Sequence, residues 1–170
     1  MPNWTTNEVR FTFDMSHQKQ KFLDFVKSDD NPFDFNKIIP MPEVFNRLCT
    51  NGTVTNETCW IDLSKTNGVG EQLTNLELQR LKKEQGTVSG REWCIDNWGT
   101  KSNSAHHVVS LDTDENEMSV SFSFKTAWSP PIGIAHFLKH LFMPGIKFRW
   151  FYRDEGDAWC GYLDDDIGGM

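Results

Sequence analysis

A chain of 170 residues and 19.7 kDa has the length of one domain, or of one domain with a sizeable insertion, and leaves little room for two independent cores. Apolar residues are 38% and charged residues 24%, with 13 Phe and 7 Trp, which excludes wholesale disorder and gives much of the core to aromatic rings. The 17 Lys and Arg against 24 Asp and Glu leave a net charge of −7, which disfavours nonspecific attraction to nucleic acid or an anionic membrane.

In chain order, residues 9–13 alternate, with Val9, Phe11 and Phe13 on one side and Arg10 and Thr12 on the other, the period of a half-buried strand. Ser16 is placed to cap a helix to about Lys27 whose apolar arc holds Met15, Phe22, Leu23, Phe25 and Val26. Residues 33–39 read as a second extended segment, stopped by Pro40 and Pro42. From 43 to 104 the periodicity weakens and glycines punctuate the chain, so this stretch is expected to be an insertion within a single domain of residues 1–170. Inside it, Thr74-Asn75-Leu76-Glu77 has the form of a capping box, opening a helix that ends at Gly86 with Leu73, Leu76 and Leu81 as buried contacts. Residues 107–111 and 118–124 form an expected hairpin, with Val120, Phe122 and Phe124 inward and Ser119, Ser121 and Ser123 outward. A helix capped by Ser129 follows and is stopped by Pro144-Gly145, burying Ile134, Ala135, Phe137, Leu138, Leu141 and Phe142. Residues 146–153 and 158–163 are the last expected strands, the second at a sheet edge. This order predicts an α+β, ferredoxin-like (split βαβ) antiparallel sheet with two helices on one face and a partly helical central insertion.

No enzymatic motif survives inspection. His136 and His140 have the i, i+4 spacing of a metal pair, but Phe137 stands where the zinc-protease pattern needs Glu and no third ligand is evident. Asp112, Asp114 and Asn116 match the opening of a calcium loop, which then fails at Glu117 and Ser123. Gly68-Val69-Gly70 lacks the third glycine of a dinucleotide fingerprint. Cys94 with His106 or His107 is the one nucleophile and base pairing worth naming, and a thiol between Trp93 and Ile95 reads better as a packed side chain. Cys49, Cys59, Cys94 and Cys160 have no CxxC spacing, so free thiols are expected, and no cofactor or metal is expected. No apolar run approaches the ~18 residues needed to cross a bilayer, and the start, Met1-Pro2-Asn3-Trp4, is no export signal, so the chain is expected in the cytoplasm of its host cell.

The acidity is uneven: residues 111–170 hold 10 acids and 5 bases. Two knots dominate, Asp112, Asp114, Glu115 and Glu117, then Asp154, Glu155 and Asp157 with Asp164, Asp165 and Asp166. These carboxylates are the candidate protein-binding surface, since acids spaced over a rigid sheet can occupy a basic groove made for nucleic acid.

Several short strings are spread in order over nearly the whole chain: Met1-Pro2-Asn3-Trp4 with Asn7, the run 35–42 (FNKIIPMP), the run 93–101 (WCIDNWGTK), the run 126–131 (TAWSPP), and Tyr152 through Gly156 with Gly161. Together they resemble the YubB-type ferredoxin-like family, a poorly characterised group of plasmid, phage and other mobile-element proteins. Thr5 stands where relatives often carry Cys. The resemblance implies the ferredoxin-like fold and supplies no established activity. A pocket lined by Trp93, Trp98 and Trp128 is the candidate site at the junction of insertion and sheet. The expected function is that of a non-enzymatic protein-binding module of a phage or mobile element, inhibiting a host protein, such as a CRISPR or other defence effector that itself binds nucleic acid, through the acidic surface, with no direct nucleic-acid or membrane contact. The alternatives are a small enzyme or a ligand- or metal-binding domain using the Trp-lined pocket, and a self-associating structural module.

Overall fold

The computed structural model describes residues 3–47, 75–110, 118–142 and 146–163. The chain divides into two compact units, Met1–Pro40 with Asn97–Met170, and Met41–Asp96. The architecture is α+β, built on a five-stranded antiparallel sheet.

In the first unit, β1 (Trp4–Thr12) lies at the centre of the sheet. It pairs on one side with β3 (Ser119–Ala127) and on the other with β4 (Lys147–Asp154). The outer strands are β2 (Ala105–Ser110), beside β3, and β5 (Cys160–Tyr162), beside β4. Register follows from the period-two pattern: Val9 stands between Phe122 and Trp150, and Phe11 between Val120 and Phe148, so each apolar residue meets apolar residues on one face. That face carries the core. Phe11, Phe22, Phe33, Phe35, Phe124 and Trp150 are all fully buried. Their rings tilt against one another, Phe11 on Phe22 at 4.4 Å between centroids and Phe33 on Phe122 at 4.9 Å.

Helices α1 (Ser16–Val26), α2 (Phe35–Ile38) and α6 (Ile132–Phe137) cover this core, with α2 touching both of the others. Met15 precedes α1, its N–H donating to Gln18 Oε1, so Ser16 is the first helical residue and not the cap. The expected strand at 33–39 is instead the short α2. Asp34 caps it by accepting from the Asn36 N–H, and Asn103 donates to Asp34 while its Oδ1 accepts from the Phe35 N–H. That partner comes from 69 residues further along, beyond the reach of local periodicity.

Ser129 does not cap α6. Its Oγ donates to the Gly99 carbonyl at 2.6 Å, and Pro131 precedes the helix. A π-helical turn, Leu138–Phe142, continues α6. Its wider turn rotates Leu141 off the apolar arc, leaving it 67% exposed where burial was expected, and sets Phe142 flat on Phe25 of α1 at 3.7 Å. At the start of β2 the register slips between Ala105 and Val108, and His106 takes φ 53° at this bulge.

The second unit holds α3 (Glu43–Arg47), α4 (Asn75–Gln85) and most of α5 (Gly90–Trp98), whose last two residues belong to the first unit. Helix α4 ends before Gly86, which takes φ 77° as a C-terminal glycine does. Leu81 is buried, but Leu76 is exposed, contrary to expectation. Among the described residues no helix is long and apolar enough to cross a membrane.

Candidate functional site

The strands that bury alternate residues present the others to the opposite face of the sheet. From β1 come Thr6, Glu8 and Arg10, from β3 Ser121, Ser123 and Lys125, and from β4 Arg149, Phe151 and Arg153. Val108 of β2 and Tyr162 of β5 flank them, 66% and 45% exposed. Small serines in β3 between larger neighbours make a trough. The result is a groove of about 490 Å³, floored by Ser121 and Ser123 and walled by Val108 on one side and Arg10, Arg149, Phe151 and Tyr162 on the other.

Pairing sets the order of chemistry within it. Arg10 stands directly opposite Arg149, Glu8 opposite Phe151, and Thr6 opposite Arg153. Across the β1–β3 ladder, Arg10 meets Ser121, Glu8 meets Ser123, and Thr6 meets Lys125. Arg10 donates to Ser119 Oγ at 2.8 Å, and Arg149 donates to Tyr162 Oη at 3.4 Å with its guanidinium 5.1 Å from the Tyr162 ring. Phe151 and Tyr162 tilt together at 5.2 Å. Lys147 pairs with Asp14 and Arg153 with Asp157 at exposed positions, pairs that solvent screens heavily.

Of the acidic candidates, Asp112, Asp114, Glu115, Glu117, Asp164, Asp165 and Asp166 lie outside the described residues. Asp154, Glu155 and Asp157 form the turn between β4 and β5. Buried Asp154 accepts from the Gly156 N–H at 3.1 Å, and Glu155 accepts from the Trp4 N–H at 3.2 Å, which ties the turn to the start of β1. These carboxylates hold the turn in shape.

The three candidate tryptophans have separate roles. Trp93 is buried in the second unit, 6.3 Å from the Phe45 ring. Trp98 is buried in the first, its Nε1 donating to the Ile39 carbonyl at 2.9 Å and its ring edge-on to Phe35. Trp128, at φ 78°, is 54% exposed, with Lys101 Nζ 2.9 Å from its ring centroid. None of them lines the sheet groove.

Burial raises the Cys94 thiol to about 11, and its Sγ lies 3.8 Å from Met41 Sδ, so it stays protonated near neutrality and is a poor nucleophile. His107 shares a 2.8 Å hydrogen bond with Ser104 Oγ. Burial lowers its imidazole below the ordinary value, the His106 charge adds to this, and Asp34 opposes it. His136 and His140 stand 4.6 Å apart on the surface, and no group of three or more His, Cys, Asp or Glu among the described residues could hold a metal ion.

Arg10, Arg149, Phe151 and Tyr162 escape a reading of the sequence alone, because each is merely the outward member of an alternating strand. The run Lys147-Phe-Arg-Trp-Phe-Tyr-Arg153, with cations at every second position but one, is the signal that marks them. Comparison with protein-family models, curated proteins and solved structures found no match.

Proposed function

We propose that this chain is a ferredoxin-like (split βαβ) binding module that acts by stoichiometric contact through the open face of its sheet and transforms no substrate. The observation that carries this reading is the groove of about 490 Å³, whose walls are exposed aromatic, aliphatic and cationic side chains. Surfaces of this kind mark recognition sites more often than scattered apolar residues do. The strand order β2-β3-β1-β4, with α1 between β1 and β2 in the chain and α6 between β3 and β4, supports the split βαβ assignment. The YubB-type resemblance points the same way and favours a mobile-element protein that meets a host component.

Comparing what the immobilised wild-type chain and a Ser123→Trp chain capture from host cells tests the reading. The indole fills the floor of the groove from an outward-facing position, and circular dichroism checks that the fold persists. A partner lost with Ser123→Trp supports the proposal; identical capture by both chains overturns it.

The charge split, 10 acids against 5 bases in residues 111–170, favours a second reading in which the acidic third contacts a basic groove of a host effector. Capture would then survive Ser123→Trp and fall steeply with added salt.

A further inference from the structure

We infer that the open face binds single-stranded nucleic acid, with a phosphate between Arg10 and Arg149 and a base on Phe151 and Tyr162. This rests on the open-face reading above and names the ligand for it. The first observation is the register of β1 and β4, which sets two arginines directly opposite one another on adjacent strands. An anion placed between two guanidinium groups so set gains a charge-assisted contact to each. Arg149 is held by a neutral phenol, Tyr162 Oη, and by its contact with that ring, which leaves its charge available.

The second observation is the alternation along β4. Arg149, Phe151 and Arg153 follow one another on the same face at every second residue, a step of about 7 Å. Lys125 lies in the same cross-strand row as Arg153, both meeting Thr6 of β1. Cation, ring and cation in line, about 14 Å from first to last, match two phosphates that are two nucleotides apart with a base between them. Aromatic rings on an open antiparallel sheet offer the stacking platform that splayed bases require, whereas an acidic peptide has no flat group to use it. Ser121 and Ser123 add hydroxyl donors along the floor.

Among the described residues Glu8 is the one carboxylate lining the groove, opposite Phe151. It opposes phosphate binding, and its removal is therefore diagnostic. The net charge of −7 argues against a long electrostatic footprint and predicts a short site with few phosphate contacts. With two to four phosphates neutralised at about −0.7 each, the slope of log affinity against log salt is roughly −1.4 to −2.8.

The test is fluorescence anisotropy of the full chain with a labelled mixed-sequence RNA of about 12 nucleotides, its DNA counterpart, the duplex form, and a labelled polyglutamate peptide. The expected result is saturable single-strand binding preferred over duplex. Arg149→Gln and Tyr162→Leu, both at exposed side chains, weaken it at least about 5-fold, and Glu8→Gln strengthens it. RNA against DNA identifies the sugar. No single-strand binding at low salt, or binding indifferent to Arg149→Gln and Tyr162→Leu, overturns the inference. Polyglutamate bound through Arg149 in place of nucleic acid also overturns it while leaving the open-face reading intact; loss of that reading shows separately, as capture unaffected by Ser123→Trp.

Discussion

Asn7 joins three neighbours in the core of the first unit. It is fully buried, accepts from Trp150 Nε1 at 3.2 Å, and donates to Thr126 Oγ1 at 2.9 Å and to the Thr5 carbonyl at 3.0 Å. Thr126 passes the chain of bonds on to the Ser129 carbonyl, and Ser129 to Gly99. Asn7→Leu keeps much of the volume but strands the indole N–H, so we expect a loss of about 2–3 kcal/mol in urea unfolding. A change within experimental scatter would show the network to be dispensable. Its neighbour Thr5 presents the opposite case, a buried Oγ1 with no hydrogen-bond partner among the described residues. Thr5→Val removes that unsatisfied hydroxyl without changing shape and is expected to stabilise by about 1 kcal/mol in the same assay. Thiol chemistry separates the two described cysteines: exposed Cys160 should alkylate readily at mildly alkaline pH, and buried Cys94, with its thiol near 11, only on unfolding. Peptide mapping after a timed iodoacetamide pulse reads the difference, and equal labelling would contradict the burial of Cys94.

At the scale of elements, close approach fixes how α6 meets the end of α5. A Cβ built at Gly133 would stand 2.0 Å from the Asn97 carbonyl oxygen, so Gly133→Ala must push the two segments apart. The expected cost is about 3 kcal/mol, and an unchanged melting temperature would refute it. Beside this contact, the hydrogen bond from Ser129 to the Gly99 carbonyl gives a physical role to two of the strings named above, the run 93–101 and the run 126–131, which meet there. Strands β1 and β3 were legible because period-two alternation is local. Helix α2 and the π-helical turn were not, since the first depends on Asn103 and the second on how Phe142 seats against Phe25. The groove was illegible for the same reason: its lining comes from five strands, and only their register places Arg10 beside Arg149. The start of β2 carries a pH response. His107 is a base whose folded value lies below the ordinary 6.5, so the folded state holds fewer protons than the unfolded one. Its contribution is present above that value and is lost as pH falls from it toward the lower folded value. Unfolding profiles between about pH 7 and pH 5 should therefore slope downward on the acid side and flatten in His107→Gln. Superimposable profiles would remove His107 as the cause.

Over the whole molecule, charge is unevenly shared. The chain carries −7, while the charged side chains that line the groove are Arg10 and Arg149 against Glu8. Averaging over the sequence hid this, because the bases that line the face are dispersed along three strands and the acids are bunched in short runs. The two readings of the partner make opposite predictions for those acids. Converting Asp164, Asp165 and Asp166 to Lys should quicken association with a short single-stranded RNA at low salt, as long-range repulsion of a polyanion is relieved. Stopped-flow rates that fall, or association with a basic host protein that slows, would favour the acidic-surface reading.

The two margins of the sheet bear on the idea of a self-associating module. One margin is bent by the slip at His106, and the other is a strand of only three residues. Among the described residues neither offers the long, straight row of unpaired amides along which a second copy could zip, a protection against fibre growth that many β proteins secure by charge alone. Polymerisation through strand addition is thereby discouraged, and the broad flank of the sheet is left as the surface on which a guest can settle.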